Sequence, residues 1–152
     1  MIGRFKDDAA RDTYLRAYDA METLWPLPST QLDVPTAFGT THVRCSGQDG
    51  GTPIVLLHGY PGNGLNWHGT VAHLAADRKV IAPDTIGAAG RSTQTAALET
   101  DEDFARWFTE LLDGLGVDRA HVLGESQGAW HASLVALHAP LAITHHVMWA
   151  DA

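Results

Sequence analysis

The chain has 152 residues, which is enough for one domain with a substantial core. Hydrophobic residues make up 45% and charged residues 18%, a globular composition that excludes a largely disordered chain. The formal net charge of −8 argues against binding to nucleic acid or to an acidic membrane surface, and the single cysteine, Cys45, excludes an internal disulfide framework and a cysteine-based zinc site.

The first residues are charged where a secretory signal peptide would be apolar, and no apolar run approaches the length of a membrane span. We therefore expect a cytoplasmic protein. The histidines lack the spacing to carboxylates that metal sites use, so we expect neither a metal ion nor an organic cofactor.

The first predicted element is a helix over residues 6–25, because large apolar side chains recur there on one helical face: Tyr14, Tyr18, Met21 and Trp25. Two prolines end this helix, so we interpret residues 1–28 as a covering helix and a linker. Residues 36–46 are rich in β-branched side chains around Gly39, and they predict a hairpin or two short strands.

Strands and helices alternate along the remainder of the chain. Short apolar runs predict strands over residues 53–57, 79–83, 121–125 and 144–150. Helical spacing predicts helices over residues 66–76, capped by Asn66, 100–115, with a capping box of Thr100 and Asp103, and 127–138. This alternation predicts an α/β domain over residues 1–152, with a mainly parallel sheet and helices on both faces.

Glycine-containing loops follow three of these strands, at the edge where open α/β sheets place their active sites. They are His58-Gly59-Tyr60-Pro61, the loop from Asp84 to Arg91, and Gly124-Glu125-Ser126-Gln127-Gly128. The last is a G-x-S-x-G motif between a strand and a helix, which is the sequence of a nucleophile elbow. Such a turn requires positive φ at Ser126, and the crowding beside it explains the glycines two places away on either side.

These three motifs, in this order, resemble the α/β-hydrolase family. The segments Leu24-Trp25-Pro26, Phe38-Gly39, Asp84-Thr85-Ile86-Gly87 and Ala105-Arg106-Trp107 are similar to bacterial carboxylesterases of the naproxen-esterase type. The resemblance implies a hydrolase of small-molecule esters. It makes Ser126 the nucleophile of an acyl-enzyme mechanism, and it makes the backbone N–H groups of Tyr60 and Gln127 the oxyanion hole.

The same resemblance also shows what the chain lacks. In this fold an acid and then a histidine follow the nucleophile, and none of the nine histidines suits the role of base. We therefore interpret the chain as the N-terminal part of a hydrolase domain, ending before the last two strands and the lid, with weak or no activity. His58 is the histidine nearest the predicted site, and we expect it to hold the oxyanion loop; we expect Asp84 to order its loop and not to take part in catalysis.

Two further acidic residues, Asp151 and Glu125, lie near predicted strand ends. Asp151 follows the last predicted strand, and we expect a strand-end carboxylate there more than a catalytic acid. Glu125 precedes the nucleophile, and we expect its side chain to point away from that of Ser126.

Three alternatives stay open at this point. A non-catalytic hydrolase-fold protein would bind a small molecule or a partner through the same pocket, and serine-based lyases and perhydrolases share the elbow. The apolar strand over residues 144–150 would form an unprotected sheet edge, so we also expect a homodimer through that edge.

Overall fold

Seven strands form one mixed sheet in the computed structural model, which describes residues 2–149. The strands are β1 (Ser29–Thr36), β2 (Gly39–Ser46), β3 (Ile54–Leu57), β4 (Val80–Pro83), β5 (Thr93–Gln94), β6 (Ala120–Glu125) and β7 (Ile143–Trp149). Their order is β1-β2-β4-β3-β6-β7, with β5 paired to β2. Strands β4, β3, β6 and β7 run parallel to one another, and the pairings of β2 with β1, β4 and β5 are antiparallel.

Helices cover both faces of the sheet, as the sequence predicted. They are α1 (Asp8–Glu22), α2 (Val71–Leu74), α3 (Asp101–Gly114) and α4 (Gln127–His138), with 3₁₀ helices at Gly64–Gly69 and Pro140–Ala142. Neighbouring side chains of a strand point to opposite faces, so Val55 and Leu57 join the core with α3 and α4, whereas Leu56 joins a second core with α1 and the first 3₁₀ helix. All three side chains are fully buried.

The predicted hairpin is present, but it begins earlier than the sequence indicated. Strand β1 occupies Ser29–Thr36 and pairs with β2 from Ser29 opposite Ser46 to Thr36 opposite Gly39. Its first five residues are exposed, because β1 is an edge strand, and it therefore has no apolar run that a pattern search would find. The two residues of β5 are too few to carry any pattern.

The predicted helix over residues 66–76 with Asn66 as its cap is wrong. The segment forms the 3₁₀ helix Gly64–Gly69 and the short α2, and Asn63 caps the former by accepting a hydrogen bond from Leu65 N at 2.9 Å. Asn66 is the third residue of that helix, and its Oδ1 accepts from Asn63 N. Gly69 is the last residue of the 3₁₀ helix, and Thr70 separates it from α2; glycine is a poor residue for the interior of a continuous α-helix.

Strand β7 lies at one end of the strand order, as predicted. Along the described residues it pairs with β6, and Val147 and Met148 are 59% and 57% exposed. Among the helices of residues 2–149, none is long and apolar enough to cross a membrane.

Candidate functional site

The turn between β6 and α4 has the geometry that a nucleophile elbow requires. Ser126 has a φ of 51° and a ψ of −115°, and it is the one non-glycine residue with positive φ in the described part of the chain. A Cβ at Gly128 would lie 1.9 Å from the carbonyl oxygen of Leu57, and a Cβ at Gly124 would lie 2.2 Å from that of Gly128. Both glycines are therefore required by contacts with backbone atoms, which cannot move aside.

The loop after β3 packs directly against this turn. A Cβ at Gly59 would lie 3.2 Å from the Cβ of Ser126, so the loop and the predicted nucleophile are in contact. The next residue, Tyr60, is 78% exposed. Gln127 is the first residue of α4, and its N–H is among those that have no carbonyl partner within the helix. Tyr60 lines a cavity together with Ser126, and Gln127 follows Ser126 in the chain, so the residues of both predicted donors belong to the segments around the predicted nucleophile.

His58 holds this loop to its neighbour. Its ring is buried, its Nε2 accepts from the backbone N–H of Thr85 at 3.0 Å, and its Nδ1 donates to the carbonyl of Gly59 at 2.9 Å. Burial lowers the pKa of His58, which keeps the ring neutral. Because both ring nitrogens are occupied, the contacts match the predicted holding role and leave no free nitrogen to serve Ser126.

Asp84 orders the loops after β3 and β4, as the sequence predicted. Its side chain is buried, Oδ1 accepts from Gly64 N at 2.8 Å, and Oδ2 accepts from Arg91 N at 2.7 Å. The hydroxyl of Tyr18 also donates to Oδ1, and burial together with the Asp84 charge raises the pKa of that tyrosine. One carboxylate thereby fixes two loops and the helix α1.

We expect Asp84→Ala to lower the free energy of unfolding by about 2–4 kcal/mol, because the buried N–H of Gly64 and the partly buried N–H of Arg91 lose their acceptor. Urea denaturation at neutral pH measures this change. The control is Asp113→Asn, an exposed position on α3, for which we expect a change below about 0.5 kcal/mol. Equal stability of the two variants would show that Asp84 does not hold these loops.

Two cavities open beside the elbow, and Tyr60 lines both of them. The smaller, of about 450 Å³, is lined by Ser126 and Glu125 together with residues of α1. The larger, of about 950 Å³, is lined by Gln127 and His131 of α4 and by the loop that follows Asp84. A small ester therefore has room on more than one side of the predicted nucleophile.

His131, which no sequence motif indicated, lines the larger cavity. The side chain is 8% exposed, and its ring stacks on that of Phe104 with centroids 4.1 Å apart. Burial, and secondarily the nearby His58, lowers its pKa to about 4, and its Nδ1 has no hydrogen-bond partner within residues 2–149. His131 was not predicted as a site residue because α4 is apolar along most of its length. Its position in α4, five residues after Ser126, could have indicated that it lies near the site.

The described residues bring no imidazole into hydrogen bonding with Ser126. His145 lies beside His121 near the beginning of β6, with ring centroids 5.2 Å apart, which is the opposite end of the strand from the elbow. Asp151, at which we expect a strand-end carboxylate, lies outside the described residues.

Comparison with known proteins identifies the fold. The family model of the alpha/beta hydrolase fold matches residues 52–148, more than half of the chain. The chain belongs to the α/β-hydrolase family. The chain is 34% identical over 139 residues to carboxylesterase YbfK of Bacillus subtilis (strain 168), covering 91% of this chain and 47% of that protein. It is 32% identical to the uncharacterized carboxylesterase nap of the same strain, covering 91% and 46%. The chain thus spans about half the length of the curated relatives it matches.

Solved structures agree with this assignment. The crystal structure of carboxylesterase CesB (YbfK) from Bacillus subtilis matches with a TM-score of 0.88 and 34% identity, covering 91% of this chain and 48% of that chain. The naproxen esterase (carboxylesterase NP) of the same organism matches with a TM-score of 0.86 and 29% identity, covering 94% and 50%. The predicted α/β-hydrolase fold and the resemblance to carboxylesterases of the naproxen-esterase type are therefore confirmed.

Proposed function

We propose that this hydrolase acts on carboxylic esters through an acyl-enzyme on Ser126. The observation that carries the proposal is the positive φ of Ser126 in a strand–turn–helix elbow, in contact with Gly59 of the loop after β3. The Ser126 hydroxyl attacks the ester carbonyl, the alcohol leaves, and water then releases the acid. Relatives named carboxylesterases support this reaction class.

Backbone N–H groups of Tyr60 and Gln127 stabilise the oxyanion in this proposal. Each such donor is worth roughly 100- to 1,000-fold in rate, and neither requires a particular side chain. Proton transfer from Ser126 needs a base, and no described imidazole is hydrogen-bonded to Ser126. We therefore expect slow acylation and weak turnover from the 152-residue chain, because loss of a general base costs several orders of magnitude.

The test is the release of the aryl alcohol from an activated aryl ester. We expect the first equivalent of product per chain to be released more rapidly than the later turnover, because an activated leaving group helps acylation and not deacylation, and we expect Ser126→Ala to abolish this first phase. Ser133→Ala is the matched control, because Ser133 lies on α4 with its hydroxyl bonded to Ala129 O and lines neither cavity. Equal product release by Ser126→Ala and the unmodified chain would reject the proposal.

The absence of an imidazole bonded to Ser126 within residues 2–149 favours one competing function. A non-catalytic hydrolase-fold protein would use the same cavities to bind a small molecule or a partner. It predicts ligand binding that Ser126→Ala leaves unchanged, with no acylation visible in the intact mass of the protein.

We also propose that two copies of this chain associate through β7. The strand is at the sheet edge, and exposed apolar side chains lie on it and just before it: Leu141, Val147 and Met148. Unpaired edge strands with apolar side chains are templates for pairing with another chain.

Sedimentation velocity at micromolar concentration measures this association. We expect a concentration-dependent dimer for the unmodified chain and a monomer for Val147→Lys, because a charge on the edge opposes pairing. Thr13→Lys at an exposed position of α1 serves as the control for the added charge. A monodisperse monomer of the unmodified chain at these concentrations would rule out the dimer.

A further inference from the structure

The smaller cavity is lined by one residue with a charged side chain, the acidic Glu125. The cavity is lined by Ser126, by Tyr14 and Met21 of α1, and by the loop containing Tyr60, and all its lining residues belong to the described part of the chain. Among them Glu125 is the one residue with a charged side chain. A cavity that adjoins the predicted nucleophile therefore carries one negative charge and no positive one.

The side chain of Glu125 lies on the sheet face that this cavity occupies. In β6 the buried Val122 joins the core of α3 and α4, whereas Leu123 packs against the core that includes Tyr14 and Met21. Because neighbouring strand residues alternate between faces, Glu125 shares the face of Leu123. Glu125 and Ser126 therefore line one cavity.

No described residue neutralises this carboxylate. Within residues 2–149 the Glu125 side chain makes neither an ion pair nor a hydrogen bond, although it is only partly exposed. A partly desolvated anion attracts a cation more strongly than a fully solvated one does. Tyr14 and Tyr60 also line this cavity, and aromatic rings attract cations.

The larger cavity has a different character. Its walls carry charges of both signs: Arg4, Asp7, Asp8, Arg11 and Arg91. The larger cavity therefore has no clear preference for a cation or for an anion. The two cavities thus present different electrostatic environments to the two parts of an ester bound at Ser126.

We propose that the smaller cavity binds an ammonium group, so that the enzyme prefers esters whose part beside Glu125 is positively charged. This substrate preference rests on the proposed ester hydrolysis, in which the positively charged part of the ester occupies the smaller cavity while the ester carbonyl lies beside the Ser126 hydroxyl. The net charge of −8 acts in the same direction, because it raises the local concentration of cationic substrates.

The first experiment measures cation binding without any chemistry. Tetramethylammonium is titrated into the full chain, and broadening of its methyl resonance reports the dissociation constant. We expect the dissociation constant to rise roughly three- to tenfold in Glu125→Gln, which keeps the shape of the side chain and removes its charge. Glu99→Gln removes the same charge from an exposed position that lines neither cavity, and we expect no change there beyond twofold.

The second experiment measures selectivity during acylation. A thiocholine ester is compared with its isosteric 3,3-dimethylbutyl thioester, and the released thiol is read optically. In both, Ser126 Oγ bonds to the acyl carbon, the C–S bond breaks, and the thiol leaves with the hydroxyl proton. We expect the ratio of the two rate constants, cationic over neutral, to fall three- to tenfold in Glu125→Gln and to persist in Glu99→Gln.

The outcomes separate the two proposals. Cation binding that is absent, or equal in the unmodified chain and Glu125→Gln, overturns the ammonium site. Cation binding that depends on Glu125, with no acylation of Ser126 by either thioester, keeps the site and rejects the esterase proposal. Acylation with a ratio unaffected by Glu125→Gln keeps the esterase and rejects the substrate preference.

Discussion

Gly128→Ala is expected to destabilise the protein by at least about 3 kcal/mol, enough to leave much of it unfolded. The added methyl group would lie 1.9 Å from the carbonyl oxygen of Leu57 and 2.8 Å from that of His58. Both atoms belong to the backbone of β3 and the following loop, so relief of the clash would separate α4 from the centre of the sheet. The loop that carries Tyr60 would move with it.

Gly69→Ala is the matched control for this substitution. No atom lies within 4 Å of a Cβ at Gly69, and its φ lies outside the positive range. We expect a change in the free energy of unfolding below about 1 kcal/mol, since alanine is the better helix former. Urea denaturation followed by circular dichroism measures both variants. A Gly128→Ala protein as stable as Gly69→Ala would contradict the packing described at the elbow.

Acid should unfold the protein partly through His131. Burial lowers the pKa of this ring from 6.5 to about 4, so the folded state keeps it neutral at pH values where the unfolded state binds a proton. Stability is therefore highest above pH 6.5 and is lost as the pH falls from about 6.5 to 4. The shift corresponds to about 3 kcal/mol of stability over that interval.

His131→Phe tests this linkage, because phenylalanine preserves a ring against Phe104 and removes the titrating group. The free energy of unfolding is measured for both proteins at pH 7 and at pH 4. We expect its decrease between these two pH values to be about 3 kcal/mol smaller in the variant than in the unmodified chain. His58 remains in both proteins, and its lowered pKa contributes equally to each. Parallel pH profiles of the two proteins would show that His131 is not held neutral.

The strongest sequence signals were those in which local chemistry alone decides the structure. The capping box of Thr100 and Asp103 forms as predicted, with Asp103 N donating to Thr100 Oγ1 and Thr100 N donating to Asp103 Oδ2, both at 3.1 Å. The elbow was predictable for a similar reason. Gly124 and Gly128 are required there because backbone carbonyl oxygens lie where a Cβ would be.

The features that the sequence hid depend on tertiary context. Strand β1 is polar and exposed, and it exists because β2 supplies its hydrogen-bond partners. The segment after Asn63 became a 3₁₀ helix, although its apolar spacing also fits an α-helix.

At the site, the G-x-S-x-G motif and the family resemblance together predict Ser126 as the nucleophile and Tyr60 and Gln127 as the oxyanion donors. The places of Glu125 and His131 depend on which sheet face borders which cavity. The spacing of residues within a single segment does not contain that information.

The most direct test of the central claim is covalent labelling by an organophosphate, followed by intact-mass measurement and peptide mapping. We predict one adduct per chain, located on Ser126, no adduct on Ser126→Ala, and unchanged labelling of Ser133→Ala. An unlabelled chain, or an adduct that maps to another residue and survives Ser126→Ala, would contradict the account of Ser126 as the nucleophile.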